Sequence, residues 1–185
     1  MDNLFFDIGK LKKCGNNVII GKTVRIRYPE LVEIGDNVII DDFTYISTEL
    51  RLHSYVHISA GCKLIGGKLS MIEMYDFATL SPNVVLVAGS DDYRSGMAGP
   101  FVSMEYKAQA EIGSIFINKH CIVGAGSVVL PNSILEEGSA VGALSLVKGI
   151  LERYTLYAGV PARIIGQRDE QEIDRLEKEF LHDHI

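Results

Sequence analysis

From Ile117 onward the chain reads INKHCI VGAGSV VLPNSI LEEGSA VGALSL VK. Aliphatic side chains at Ile117, Val123, Val129, Leu135, Val141 and Val147 recur every six positions. Four residues after each of the first five comes a small one: Cys121, Ser127, Ser133, Ser139 and Ser145. A period of six matches neither the 3.6 of an α-helix nor the 2 of a simple strand. It matches a chain that runs straight briefly, turns a corner and repeats, with the aliphatic residue inside and the small residue letting the next face close in. Such a repeat is the mark of a parallel β-helix. Three repeats make one turn of a three-sided prism. Residues 18 apart, such as Ala125 and Ala143 or Ser127 and Ser145, should then stack at a strand spacing of ~4.8 Å.

The same pattern organises the first half. Ile20 and Ile26 begin it, a slip across Tyr28, Pro29 and Glu30 resets it, and Ile34, Ile40, Ile46, Leu52, Ile58 and Leu64 follow six apart. Their companions Val38, Thr44, Leu50, Val56 and Cys62 are bulkier. After Gly66 and Gly67 the pattern resumes at Met74, Leu80 and Leu86, with Ala78 and Val84 in the companion position. Residues 88–111 have no repeat, and long loops inside compact domains are usually functional. This segment is the candidate acceptor-binding loop. Residues 1–17 read as an N-terminal cap, with Leu4, Phe5, Ile8 and Leu11 on one face of a short helix. Residues 18–166 read as the coil, and YAGVPARIIGQR as a turn leading away from it. Residues 167–185 read as a C-terminal helix with Asp169 and Glu172 at capping-box spacing and an apolar stripe of Ile173, Leu176 and Phe180. The expected class is all-β, with one short helix and one long excursion loop.

The chain has 185 residues, 47% of them hydrophobic, and a formal charge of −6. That balance disfavours a nucleic acid or an anionic membrane as the main partner. Its three cysteines show no metal-binding spacing, and Cys62 and Cys121 fall on interior positions, which makes them inert buried thiols. The N-terminus lacks the apolar core of a signal peptide, and no stretch is long enough to span a bilayer. A cytoplasmic location is the expectation.

The repeat block together with YAGVPARIIGQR resembles the hexapeptide-repeat acyltransferases, in particular the galactoside, maltose and nucleotide-sugar acetyltransferases. The resemblance implies a left-handed coil, a homotrimer, active sites between subunits, and acetyl-CoA as acyl donor with no metal. Carried onto this chain, it implies a coenzyme arm running past Ala125, Gly142 and Ala143. It also implies a basic cluster of Lys148, Arg163 and Arg168 at the end of the coil, facing the phosphorylated adenosine. Small residues leave backbone groups open to such an arm, and arginine and lysine suit phosphate. A backbone N–H near Gly142 is the expected oxyanion donor.

One departure from that family bears on the acceptor. Where the galactoside and maltose enzymes carry a catalytic histidine, Ser81-Pro82-Asn83-Val84 here leads to Gly89-Ser90-Asp91-Asp92-Tyr93, and the loop has no histidine. A hydroxyl acceptor needs a base with a pKa near neutrality. An amine is already nucleophilic, and the ammonium formed by its attack is acidic enough for a carboxylate, its pKa raised by burial, to take the proton. The expected reaction is therefore N-acylation, and the Ser90-Asp91-Asp92-Tyr93 arrangement resembles N-acyltransferases acting on nucleotide-linked amino-deoxysugars, which implies such an acceptor for surface polysaccharide. Asp91 and Asp92 are the candidate catalytic pair, with Asn83, Ser90 and Tyr93 as substrate contacts. Alternatively, both aspartates simply cap a turn. Rival readings are sugar O-acetylation, a non-catalytic trimeric scaffold, and a γ-carbonic-anhydrase-like hydratase. The last needs three converging imidazoles, whereas His53, His57 and His120 are read as outward-facing.

Overall fold

The computed structural model describes residues 6–184. Parallel strands, many only two residues long, stack into a β-solenoid of about seven turns, followed by one helix, Glu170–His184. The six-residue period is visible in the register. Ile122 and Val123 pair with Ala140 and Val141, and Val128 and Val129 pair with Leu146 and Val147. The second residue of each short strand points inward. Ile20, Ile40, Ile58, Leu80 and Val123 are fully buried on one face, as are Ile46, Leu64, Leu86, Val129 and Val147 on the next. The third face carries Ile34, Leu52, Met74, Ile117, Leu135 and Leu151.

Buried serines in the second block satisfy their own hydroxyls at the corners. Ser127 and Ser145 both donate to the Gly142 carbonyl, at 3.0 and 2.8 Å, and Ser133 donates to Leu130 O at 2.8 Å. A buried hydroxyl without such a partner would cost ~1–3 kcal/mol, so the small polar side chain suits the corner as well as its size does. Cys62 and Cys121 occupy the same position, and burial raises each thiol to about 11. The corners also need left-handed backbone. Asn83, Asn132 and Leu144 sit at φ 61, 61 and 55°, as do Phe43, Tyr55 and Phe77 near 60°. Asparagine tolerates that region and the bulky residues do not. The ladder bonds on both sides hold them there. Gly124 answers a different demand, since an added Cβ would lie 2.5 Å from Ala143 N on the coil beyond.

Three segments depart from the regular coil. Residues 66–70 bulge from the long strand Lys63–Met74, exposing Leu69 where that strand pairs with Tyr45–Leu52 through two register shifts. A flap leaves the coil after Ala88, its neck closed by an antiparallel pairing of Gly89–Ser90 with Glu111–Ile112. Contrary to the expectation, the segment YAGVPARIIGQR does not lead away from the coil. Thr155–Ala158 joins the stack, and after a cis Val160–Pro161 bond Arg163–Gln167 runs back antiparallel against it.

The ends also differ in detail. Of the expected N-terminal helix, Leu4 and Phe5 lie outside the described residues, and Ile8–Lys10 forms a single 3-10 turn with Ile8 exposed. Phe6 and Leu11 pack against the core. At the other end Asp169 caps the helix, accepting from Glu172 N at 3.0 Å, while the Glu172 carboxylate turns to Arg175 instead of closing a capping box. The stripe of Ile173, Leu176 and Phe180 lies over Tyr55, Phe77 and His120. His120 therefore points outward from the coil but is not exposed, because the helix covers it. It stacks on Phe77, with its Nε2 2.8 Å from Glu177, and its side chain is 12% exposed. Among the described residues no helix is long and apolar enough to cross a membrane.

Because each inward residue is locked between the coils on either side, Leu80→Ala should lower unfolding free energy by about 2–5 kcal/mol in urea titration. Gly124→Val should depress the melting temperature as well, because its Cβ meets backbone that cannot swing aside. Full retention of stability in both would contradict the packing described.

Candidate active site

The flap and one face of the coil enclose a cleft of about 700 Å³. Its floor is the outward side of that face, Val128 and Leu146 with Val87, Leu130 and Pro131. Its wall is the descending limb of the flap: Ser90, Asp91, Asp92, Tyr93 and Arg94. Lys148 closes the far side, and Gln109 and Glu111 come from the returning limb. The structure thus brings together four of the expected residues, Ser90, Asp91, Asp92 and Tyr93, with a fifth, Lys148. Tyr93 is almost wholly exposed, as is Phe101 farther along the flap.

The two carboxylates are held differently. Asp92 accepts from Arg94 N at 2.8 Å and from Ser95 Oγ at 2.8 Å through its two oxygens, and Oδ2 also takes Gln109 N at 3.3 Å. It fastens the descending limb to the returning one, and those donors hold it at about 2. Asp91 receives Lys107 Nζ on Oδ1 at 3.1 Å and Gly99 N on Oδ2 at 3.3 Å. The Lys107 hydrogen bond, then that of Gly99, brings its pKa below the usual carboxylate value. The expectation of carboxylates raised by burial is therefore corrected: neither is buried, and hydrogen-bond donation outweighs desolvation in both. Lys107 and Gln109 were missed by sequence reading. They lie in a stretch with no repeat, and only the fold of the flap returns them to Asp91 and Asp92.

The remaining expected residues lie elsewhere. Ala125, Gly142 and Ala143 occupy the corner that begins the cleft-floor face, whereas the flap springs from the corner that ends it. Within that corner Gly142 N donates to Tyr157 O at 2.7 Å, Leu144 N to Ala125 O at 2.9 Å and Ser145 N to Ser127 Oγ at 3.1 Å. Gly142 N–H is thus committed to the coil. Asn83 is a left-handed corner residue packed against Gly61. The three expected cations do not form one cluster in the chain. Lys148 lies in the cleft, Arg163 is exposed with Nη1 on Ala162 O, and Arg168 donates to His120 O at 2.7 Å and Gly138 O at 2.6 Å. Arg168 ties the returning tail to two coil corners, and burial lowers its pKa. The three histidines pair separately, His53 with Glu73, His57 with Asp41 and His120 with Glu177. Among the described residues no group of three or more His, Cys, Asp or Glu side chains is arranged to hold a metal ion.

No protein-family model matches the chain. A dTDP-4-amino-4,6-dideoxy-D-glucose acyltransferase of Escherichia coli is 39% identical over 166 residues, which is 86% of this chain and 84% of that protein. AntD, an N-acyltransferase from Bacillus cereus solved with dTDP and 3-hydroxybutyryl-CoA, is 39% identical. It superposes with a TM-score of 0.91 over 99% of this chain and 98% of its own. A single-residue variant of AntD, solved with dTDP-4-amino-4,6-dideoxyglucose and coenzyme A, superposes equally well at 38% identity over 99% and 100% of the two chains. A maltose O-acetyltransferase from Clostridium difficile, 16% identical with a TM-score of 0.59 over 88% of this chain and 72% of its own, shares the fold. The likeness to the N-acyltransferases runs the whole length of the coil, flap and tail, and the chain belongs to the hexapeptide-repeat acyltransferases.

Proposed function

We propose that this protein moves an acyl group, acetyl in the simplest case, from acyl-CoA to the amine of a nucleotide-linked amino-deoxysugar used in surface polysaccharide. The observation that carries the reading is an ionised carboxylate, Asp91, set on the wall of an apolar-floored cleft that also holds Lys148 and Arg94. The relatives' bound ligands, a dTDP-linked amino sugar and coenzyme A, support the same pair of substrates. Apolar surface suits the uncharged parts of both, and the two cations suit a diphosphate.

In the proposed reaction the sugar nitrogen attacks the thioester carbonyl carbon, and the carbonyl oxygen takes up negative charge. Collapse breaks the carbon–sulfur bond and releases the coenzyme thiolate. The ammonium proton formed on attack passes to Asp91, and from there to solvent or the departing thiolate. Two oxygen lone pairs of Asp91 are taken by Lys107 and Gly99, and the others remain for the amine. A carboxylate held below its ordinary pKa is a poor base for a sugar hydroxyl but adequate for a strongly acidic ammonium adduct. That asymmetry favours N- over O-acylation. Asp92 holds the flap, with Ser90 and Tyr93 lining the acceptor side.

For the donor, the corner of Ala125, Gly142 and Ala143 supports a pantetheine arm, with Lys148 and Arg163 available to its phosphates. With its neighbours committed to the coil, Ala143 N–H is the proposed oxyanion donor. This corner and the flap border opposite edges of one face, about 10 Å apart for three extended residues. A homotrimer, in which one protomer's flap meets another's corner, would close that gap. Activated donor and acceptor of this kind are cytoplasmic metabolites, which places the enzyme there.

Asp91→Asn and Asp91→Ala should each lower kcat for a dTDP-linked amino sugar by about 10²–10⁴-fold in a thiol-release assay. Turnover equal to the unaltered enzyme would remove Asp91 from the chemistry. Asp92 stabilises the flap fully above its unfolded pKa of 3.8, and that contribution is lost as pH falls toward about 2. Hydrogen exchange at the Arg94 and Gln109 amides should therefore accelerate, beyond its intrinsic pH dependence, over that window. In Asp92→Asn the extra acceleration should disappear.

A further inference from the structure

Asp91 separates two hollows. On one side is the large cleft; on the other a smaller one of about 280 Å³ lies between the 66–70 bulge and the flap, lined by Gly67, Lys68, Met104, Lys107 and Ile112. Asp91 lines both, whereas Lys107 lines only the smaller. The ammonium therefore reaches the carboxylate from behind, away from the space where the acceptor is proposed to bind. Its side chain is 14% exposed, the least of any lysine in the ion pairs described, and Asp91 is its acidic partner at 3.1 Å. Its backbone is fixed too. Lys107 N donates to Met104 O, its carbonyl accepts from Ala110 N, and a Cβ on Gly96 would lie 2.4 Å from that same oxygen. A cation so enclosed and so rigidly mounted is unlike the surface lysines, whose ion pairs contribute little.

We propose that Lys107 is a positioning residue for acyl transfer, aiming the Asp91 carboxylate into the cleft and keeping it ionised there. The proposal rests on the reading of Asp91 given above. Gly99 N–H on the second oxygen completes the clamp, so the carboxylate plane is set from two sides while its cleft-facing lone pairs stay open. The other charged groups around Asp91 are less well placed for this role. Asp92 is bound to the backbone of Arg94 and Gln109. Lys68 pairs with Glu30 and lies over Tyr28. Arg94 and the phenol of Tyr93 belong to the same wall as Asp91, Glu111 lines both hollows and as a like charge cannot hold the carboxylate, and Lys148 lies across the large cleft. The sign follows from the ionised form being the active one. Lys107 lowers the Asp91 pKa, so its removal lets that pKa rise, and activity is lost at a higher pH than before as the solution is acidified.

The test is steady-state kinetics across pH for Lys107→Met, Lys107→Arg, Asp91→Asn and the Asp91→Asn/Lys107→Met double variant, using acetyl-CoA and a dTDP-linked 4-amino sugar. Lys107→Met should lose about tenfold or more in kcat, since misplacing a reacting group costs on that scale. The KM for acetyl-CoA should change by less than about threefold, as expected for an interaction felt mainly in the transition state. The acidic limb of its kcat/KM profile should move to higher pH, and Lys107→Arg should restore most of the rate and the original limb. In the Asp91→Asn background, Lys107→Met should cost almost nothing further. An unmoved acidic limb, or a full additional loss in the double variant, overturns the proposal. If Asp91→Asn alone keeps full turnover, the base reading fails instead, a result distinct from either of those.

Discussion

Every feature of this molecule depends on coils stacking one strand spacing apart. Each two-residue strand has too few hydrogen bonds to persist alone, and it survives because backbone groups above and below pair with it along the prism. The same stacking buries an aliphatic column on each face, from Ile20 to Val123 on the first and from Ile46 to Val147 on the second. Neither contribution is separable from the other. A side chain that forced two coils apart, as a Cβ at Gly124 would, removes ladder bonds and packing together.

Rigidity of that kind explains where chemistry can be located. The prism supplies straight edges and fixed corners but few concave sites of its own. A cleft arises where the chain leaves the stack, folds over the outward side of one face and returns through an antiparallel neck. Within the flap, hydrogen bonds to two adjacent carboxylates replace a hydrophobic core. Asp92 binds one limb to the other, and Asp91 is clamped between Lys107 and Gly99. This loop contains no histidine and carries instead an anion stabilised by hydrogen-bond donors.

The tail shows how a motif can point to a family while its packing departs from the expectation. YAGVPARIIGQR is part of what links the chain to its relatives, yet the peptide folds back on the coil, and Arg168 binds two corner carbonyls instead of joining Lys148. Similarly His120 lies where a six-residue pattern predicts an outward side chain, and the C-terminal helix covers it. Both departures have one cause. A repeat assigns inside and outside relative to its own axis, and it cannot register a later segment that packs against the outer surface.

From the sequence alone came the prism, its inward columns, the break at residues 88–111, and the adjacent carboxylates within it. These follow from local periodicity and residue type, which stacking translates directly into position. Only the tertiary structure decided that Lys107, sixteen residues beyond Asp91, is its counter-ion, that Lys148 and not Arg168 enters the cleft, and that both aspartates are held below their ordinary pKa. Those outcomes depend on how an irregular loop closes on itself. Closure of that sort is governed by a few long-range hydrogen bonds that leave no period in the chain.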